Sequence, residues 1–191
     1  MLFIRHRINT VEELGTVPPH MGIEVDIRAE GTEIILQHDP FLQGERFEDF
    51  LRHYRHELIV LNIKDEGTEE PALELLQKYG VRNYFFLDLD FPAMMRLIKK
   101  GEKNIALRFS EYEPLDPCLA FKGMAGWVWV DCFNDLPLDR ESHAALKKNF
   151  KLCLVSPELQ KFPKERIADF KKKLTGLALD AVCTKHPDLW I

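Results

Sequence analysis

The sequence predicts an α/β fold, specifically a compact (β/α)8 TIM barrel with short loops, on three observations. Short apolar strand-like runs alternate with helical patterns along the whole chain, the strand runs number eight, and no linker or low-complexity tract interrupts them. Strands alternating with helices call for parallel pairing, and eight such units match the barrel count. Spread over 191 residues, each unit has about 24 residues, against roughly 250 for a typical barrel of this kind. The loops must therefore be short, and the last helix is expected to be missing. An open doubly wound sheet satisfies the same alternation and remains the alternative. The chain reads as one domain, 1–191.

The first strand is Leu2 to Arg5, followed by a short helix that Asn9 or Thr10 can cap and a stop at Pro18-Pro19. GIEVDI, Gly22 to Ile27, alternates apolar and acidic residues with strand periodicity. A turn at Glu30-Gly31 leads to a second apolar run, Glu33 to Leu36, and then to Gln37-His38-Asp39-Pro40. Phe47, Phe50, Leu51 and Tyr54 keep helical spacing. Beyond them come strand 58–63, helix 70–79 stopped by Gly80, strand 84–89, helix 92–100 stopped by Gly101 and strand 105–109. A short helix at 116–121, strand 126–130, helix 140–149, strand 152–155, helix 164–174 and strand 181–184 complete the series.

Composition excludes several classes. Hydrophobic residues make up 46% of the chain, enough for a substantial core and too many for disorder. The formal charge of −5, with no basic block beyond Lys171-Lys172-Lys173, disfavours nucleic acid as a partner. Cys118, Cys132, Cys153 and Cys183 are widely spaced and lack CxxC order, which reads as buried thiols in a reducing compartment. With no signal-peptide core and no membrane-length apolar run, a soluble cytoplasmic protein is expected. Nothing in the sequence fixes an oligomeric state.

Chemistry concentrates at the C-terminal ends of the strands, where catalytic groups of a parallel barrel gather. His6 and Arg7 end the first strand, Glu24 and Asp26 share one face of the second, and Asn62 and Lys64 end the third. Asp88, Arg108, Asp131, Glu158 and Lys185 follow further along. Two acids at i and i+2 raise each other's pKa unless a cation lies between them, and a divalent ion is the economical answer. His38, at the end of the doubled-back run, can transfer a proton near neutral pH.

The His6-Arg7 pair, Glu24-x-Asp26 and His38-Asp39, in this order and spacing, resemble the signature of the glycerophosphodiester phosphodiesterase family, part of the PI-PLC-like phosphodiesterase superfamily. Leu61-Asn62-Ile63-Lys64 resembles that family's third-strand motif, and Asp180 to Pro187 its last-strand motif. The resemblance implies a phosphoric diester hydrolase acting on a small-molecule phosphodiester, a glycerophosphodiester-like compound. It implies that His6 and His38 share the acid and base duties; Arg7 and Lys64 would neutralise the phosphate charge, and Lys185, a departure from the family, would add a further positive charge for it. Glu24, Asp26 and Asn62 would hold one divalent cation, Mg²⁺ or Ca²⁺. Attack by a neighbouring substrate hydroxyl would give a cyclic phosphate, which is either opened by water or released as the product of a lyase. Ile8 stands where the family has glycine, Asn62 where it has a third acid, and Lys185 where it has an acid after the last-strand threonine. A barrel that binds a phosphorylated ligand without turnover is therefore the rival reading.

Overall fold

The computed structural model describes residues 1–191, and all eight expected strands are present in it. The chain divides into two compact units, Arg5–Gly101 and Met1–Ile4 with Glu102–Ile191.

β1 (Leu2–Arg5) opens the chain. In the Arg5–Gly101 unit it is followed by α1 (Val11–Gly15), β2 (Gly22–Glu30), β3 (Glu33–Leu36), β4 (Glu45–Arg46), α2 (Phe47–His53), β5 (Leu58–Ile63), α3 (Glu69–Lys78), β6 (Tyr84–Leu87) and α4 (Phe91–Lys99). β2, β5 and β6 are parallel, with Asp26 opposite Asn62 and Asn62 opposite Leu87. β2 runs to Glu30, beyond the GIEVDI run read from the sequence, because it changes partner. As far as Ile27 it pairs with β5, and from Ile27 onward it forms an antiparallel hairpin with β3.

Capping explains where the helices start. Thr10 and Glu13 form a reciprocal capping box on α1, and the Asp90 side chain accepts the Ala93 N–H of α4 at 3.2 Å. α2 buries Phe47, Phe50 and Leu51, an i, i+3, i+4 stripe. Phe50 is fully enclosed. Phe50→Ala should destabilise the protein by about 3–5 kcal/mol in urea denaturation.

The other unit contains Leu2–Ile4 of β1, then β7 (Ala106–Phe109), α5 (Leu115–Ala120), β8 (Trp127–Val130), α6 (Arg140–Lys147), β9 (Lys151–Val155), α7 (Arg166–Lys173) and β10 (Ala181–Thr184). β7 to β10 are parallel neighbours in chain order, and the Leu2 N–H donates to the Asp180 carbonyl at 2.8 Å. One-turn 3-10 helices at Pro157–Gln160 and Pro187–Trp190 follow β9 and β10. Trp127 and Trp129 are buried, which gives them the packing role that their alternation with valine suggests. All four cysteines are buried and none forms a disulfide. No helix is long and apolar enough to cross a membrane.

Candidate active site

The alternation of β2 sends Ile23, Val25 and Ile27 to one face and Glu24 and Asp26 to the other. Both carboxylates are enclosed, Glu24 at 1% exposure and Asp26 at 0%. What surrounds them decides how that arrangement is tolerated.

Glu24 accepts the backbone N–H of Arg7 through Oε2 at 2.8 Å and the Asn62 amide through Oε1 at 2.9 Å. His6 Nε2 lies 3.8 Å from the same Oε2. The left-handed backbone of Arg7, φ 54°, accompanies its N–H contact, a conformation uncommon for a side-chain-bearing residue. Burial, and then the Asp26 charge, push the Glu24 carboxyl up to about 7, against the pull of Asn62, the Arg7 N–H and Lys64.

Asp26 is clamped by Asn9, whose amide donates to Oδ2 at 2.9 Å while its oxygen accepts the Asp26 N–H at 2.8 Å. Lys64 Nζ stands 3.4 Å from Asp26 Oδ1 and 3.9 Å from Asp88, and Arg7 Nε is 4.0 Å from Asp26 Oδ2. The parallel register with β5 brings Asn62 and Lys64 here, and the Lys64 N–H donates to the Ile27 carbonyl at 2.9 Å.

The β2–β3 hairpin returns the chain beside Asp26, whose carbonyl accepts the Gln37 N–H at 3.0 Å. His38 follows. Its Nδ1 is 2.7 Å from Asp39 Oδ1, a contact that lowers the Asp39 pKa, and Arg7 Nη2 donates to its Nε2. With Nε2 accepting from Arg7, Nδ1 carries the ring proton toward Asp39. Arg7 thus links the two histidines, its N–H on the carboxylate beside His6 and its guanidinium on His38. A cavity of about 500 Å³ opens beside it, lined in part by Arg7, Asn9, Gln37 and Glu45.

Whether these residues suit a divalent ion is a question of donors. Asp26 Oδ1 and Asn62 Oδ1 are buried and take part in no hydrogen bond, and Glu24 adds a third hard oxygen donor. Two carboxylates and an amide oxygen suit Mg²⁺ or Ca²⁺. No three His, Cys, Asp or Glu side chains converge on one point, so the set carries less charge than an all-acid site.

Seven of the eight residues expected from the sequence, His6, Arg7, Glu24, Asp26, His38, Asn62 and Lys64, therefore lie within one unit and in one network of hydrogen bonds and ion pairs. The eighth, Lys185, belongs to the other unit. It is exposed, and its N–H donates to Glu158 Oε1 at 3.0 Å. In that same unit Arg108 pairs with Asp131 at 2.6 Å, and Glu158 also accepts the Thr184 hydroxyl at 2.6 Å.

Solved structures with a similar fold include two phosphodiesterases. A glycerophosphodiester phosphodiesterase of Agrobacterium tumefaciens superposes with a TM-score of 0.72 at 14% identity, over 100% of this chain and 97% of its own. A glycerophosphoryl diester phosphodiesterase of Parabacteroides distasonis superposes with a TM-score of 0.68 at 13% identity, over 98% and 84%. This chain shares their fold. No protein-family model and no curated protein sequence matches it.

Two contributors escape the sequence reading. Asn9 reads there as one of two possible helix caps, yet Thr10 alone caps α1 and Asn9 holds Asp26. Arg28 donates twice to the His38 carbonyl, at 2.9 and 3.2 Å, and pairs with Asp65, which also accepts the Ala29 N–H at 3.0 Å. Arg28→Ala should cost about 1–3 kcal/mol in urea denaturation, because it removes both donors from the part-buried His38 carbonyl and leaves Asp65 with the Ala29 N–H but no counter-charge. Arg28→Lys should recover only part of that loss, since one ammonium cannot reproduce the fork.

Proposed function

We propose that this protein is a metal-dependent phosphodiesterase, built on the (β/α)8 scaffold read from the sequence, that cleaves a glycerophosphodiester-like substrate by histidine acid–base catalysis. The observation that carries the reading is the enclosed Glu24–Asp26 pair, with Asp26 Oδ1 and Asn62 Oδ1 outside any hydrogen bond, set between His6 and Lys64. The fold shared with the two phosphodiesterases supports the reaction class.

Glu24, Asp26 and Asn62 would hold the divalent ion, which when bound neutralises charge on a non-bridging phosphate oxygen. Arg7 and Lys64 would meet the remaining phosphate oxygens, Arg7 by a planar fork and Lys64 as a point charge. A phosphate that draws the Arg7 guanidinium away frees the Nε2 lone pair of His38, whose ring Asp39 keeps in that tautomer. His38 can then take the proton of the attacking hydroxyl. His6, held beside Glu24, can deliver a proton to the leaving alkoxide oxygen. Attack by a neighbouring hydroxyl of the substrate yields a cyclic phosphate, and phosphorus NMR of the products shows whether water then opens it.

Turnover of a panel of glycerophosphodiesters should require Mg²⁺, Ca²⁺ or Mn²⁺ and should vanish with EDTA. Activity that survives both EDTA and the double substitution His6→Ala/His38→Ala would remove the proposal. One observation favours the non-catalytic rival. Lys64 already lies on Asp26, and Asn62 commits its amide to Glu24. Saturable binding of glycerol phosphate with no turnover under any of the three metals would decide for that rival.

A further inference from the structure

The Arg5–Gly101 unit has a second and larger cavity, of about 840 Å³, at the other end of its parallel strands. It lies where α2 leads into β5 and where α3 leads into β6, whereas the acid pair and Asn62 face the opposite strand ends. Four residues of β5, Leu58 to Leu61, lie between Glu57 in the cavity lining and Asn62, a distance of about 16 Å.

Three arginines line this cavity. Arg52 is engaged, 3.0 Å from Asp49 and donating to the Tyr79 hydroxyl at 3.3 Å. Arg55 donates only to the Tyr54 carbonyl, and Arg82 to no group; neither guanidinium has a carboxylate partner. This is unusual in a chain with net charge −5, where most other arginines sit against an acid. Glu57 is the one acid in the lining, so the cavity keeps a positive balance.

A second feature is independent of charge. The Tyr54 hydroxyl and His56 Nδ1, both from lining residues, are buried without a hydrogen-bond partner, and Tyr54 is only 8% exposed. The His56 ring is fixed from its other side, because Nε2–H donates to the Val17 carbonyl at 2.8 Å, which leaves Nδ1 an acceptor and the Tyr54 hydroxyl as the donor of the two. Buried polar atoms left this way bear their full desolvation penalty until a ligand or water meets them.

We infer that this cavity is a binding site for a small molecule carrying a phosphate or diphosphate group. Arg55 and Arg82 would grip the anion through their planar forks, and the Tyr54 hydroxyl would donate to it. The volume lies within the roughly 300–1,000 Å³ common to small-molecule sites. The site is separate from the proposed reaction centre and does not depend on that reading.

Isothermal titration of the full chain with inorganic pyrophosphate, without divalent cations, tests this. The background is Arg7→Ala/Lys64→Ala, which takes the other phosphate contacts out of play. Saturable one-to-one binding is expected there. Adding Arg55→Ala/Arg82→Ala should weaken it roughly tenfold or more, and Tyr54→Phe, which changes no charge, should weaken it roughly threefold or more. Arg55 and Arg82 are exposed, so their loss should leave the urea midpoint in place. Absence of saturable binding in the background protein, or affinity unchanged by the double arginine substitution, would overturn the inference. An affinity that falls with the arginines but ignores Tyr54→Phe would also overturn it, because that is the behaviour of diffuse surface charge.

Discussion

His6→Ala should lower kcat/KM for a glycerophosphodiester by about 10²–10⁴-fold, the range lost when a positioned general acid or base is removed. His6 is only partly accessible, and its Nε2 faces a carboxylate that already receives the Arg7 N–H and the Asn62 amide. Loss of the ring removes a proton carrier while both Glu24 hydrogen bonds stay in place. The thermal midpoint should therefore change little while turnover collapses. His38→Ala should cost a similar factor by another route, since it also strips Asp39 and the Arg7 guanidinium of a partner. Because the two residues serve as base and acid of the same displacement and act as a unit, the double variant should be scarcely slower than either single one. Steady-state kinetics on the three variants, with circular dichroism melts alongside, distinguish this from a packing role. A packing histidine would shift the melt and leave kcat/KM within about tenfold of the parent.

The residues in that prediction were readable from sequence because strand periodicity fixes which side chains share a face. Once GIEVDI is read as a strand, Glu24 and Asp26 must lie together, and parallel pairing with 58–63 brings Asn62 opposite Asp26. All eight strands were legible for the same reason, each being a short apolar run between turn residues. What stayed hidden depends on register and side-chain reach. Asn9 looks like a cap by local chemistry, and only the return of β2 beside it turns its amide onto Asp26. The Arg28–Asp65 pair joins positions 37 residues apart, with no periodicity to announce it. The change of partner within β2 escaped because a strand that exchanges a parallel partner for an antiparallel one leaves no break in its own alternation. The arginine-lined cavity was invisible because Arg52 and Arg55 come from the end of α2 and its lead into β5, whereas Arg82 comes from the connection of α3 to β6.

Without divalent cations the protein should lose stability as pH rises from about 4.5 to about 7, and a cation should restore it above that range. The sign follows from Glu24. Its carboxyl is raised from 4.5 to about 7 in the folded protein, so between these values the folded state holds a proton that the unfolded chain has released. Stability from that proton is complete below 4.5 and is gone once pH passes the folded value. At pH 8 the enclosed pair carries both charges, with Lys64 and the Arg7 guanidinium as the nearest counter-charges. Mg²⁺ or Ca²⁺ binding there should raise the urea midpoint, through about 2.7 kcal/mol of added stability at a hundredfold excess over Kd. At pH 5 the same addition should do little, because the ion would have to displace the Glu24 proton. Glu24→Gln should flatten the pH dependence and Asp26→Ala should abolish the response to cations. Asn62→Asp should strengthen that response by adding a third carboxylate, while making the cation-free protein less stable at pH 8. Urea denaturation of the four proteins at pH 5 and pH 8, with and without 5 mM cation as a trial concentration of about the order needed for a weak site, reads all of these outcomes. A cation effect of equal size in the parent and in Asp26→Ala would place the ion elsewhere and leave the acid pair a purely structural feature.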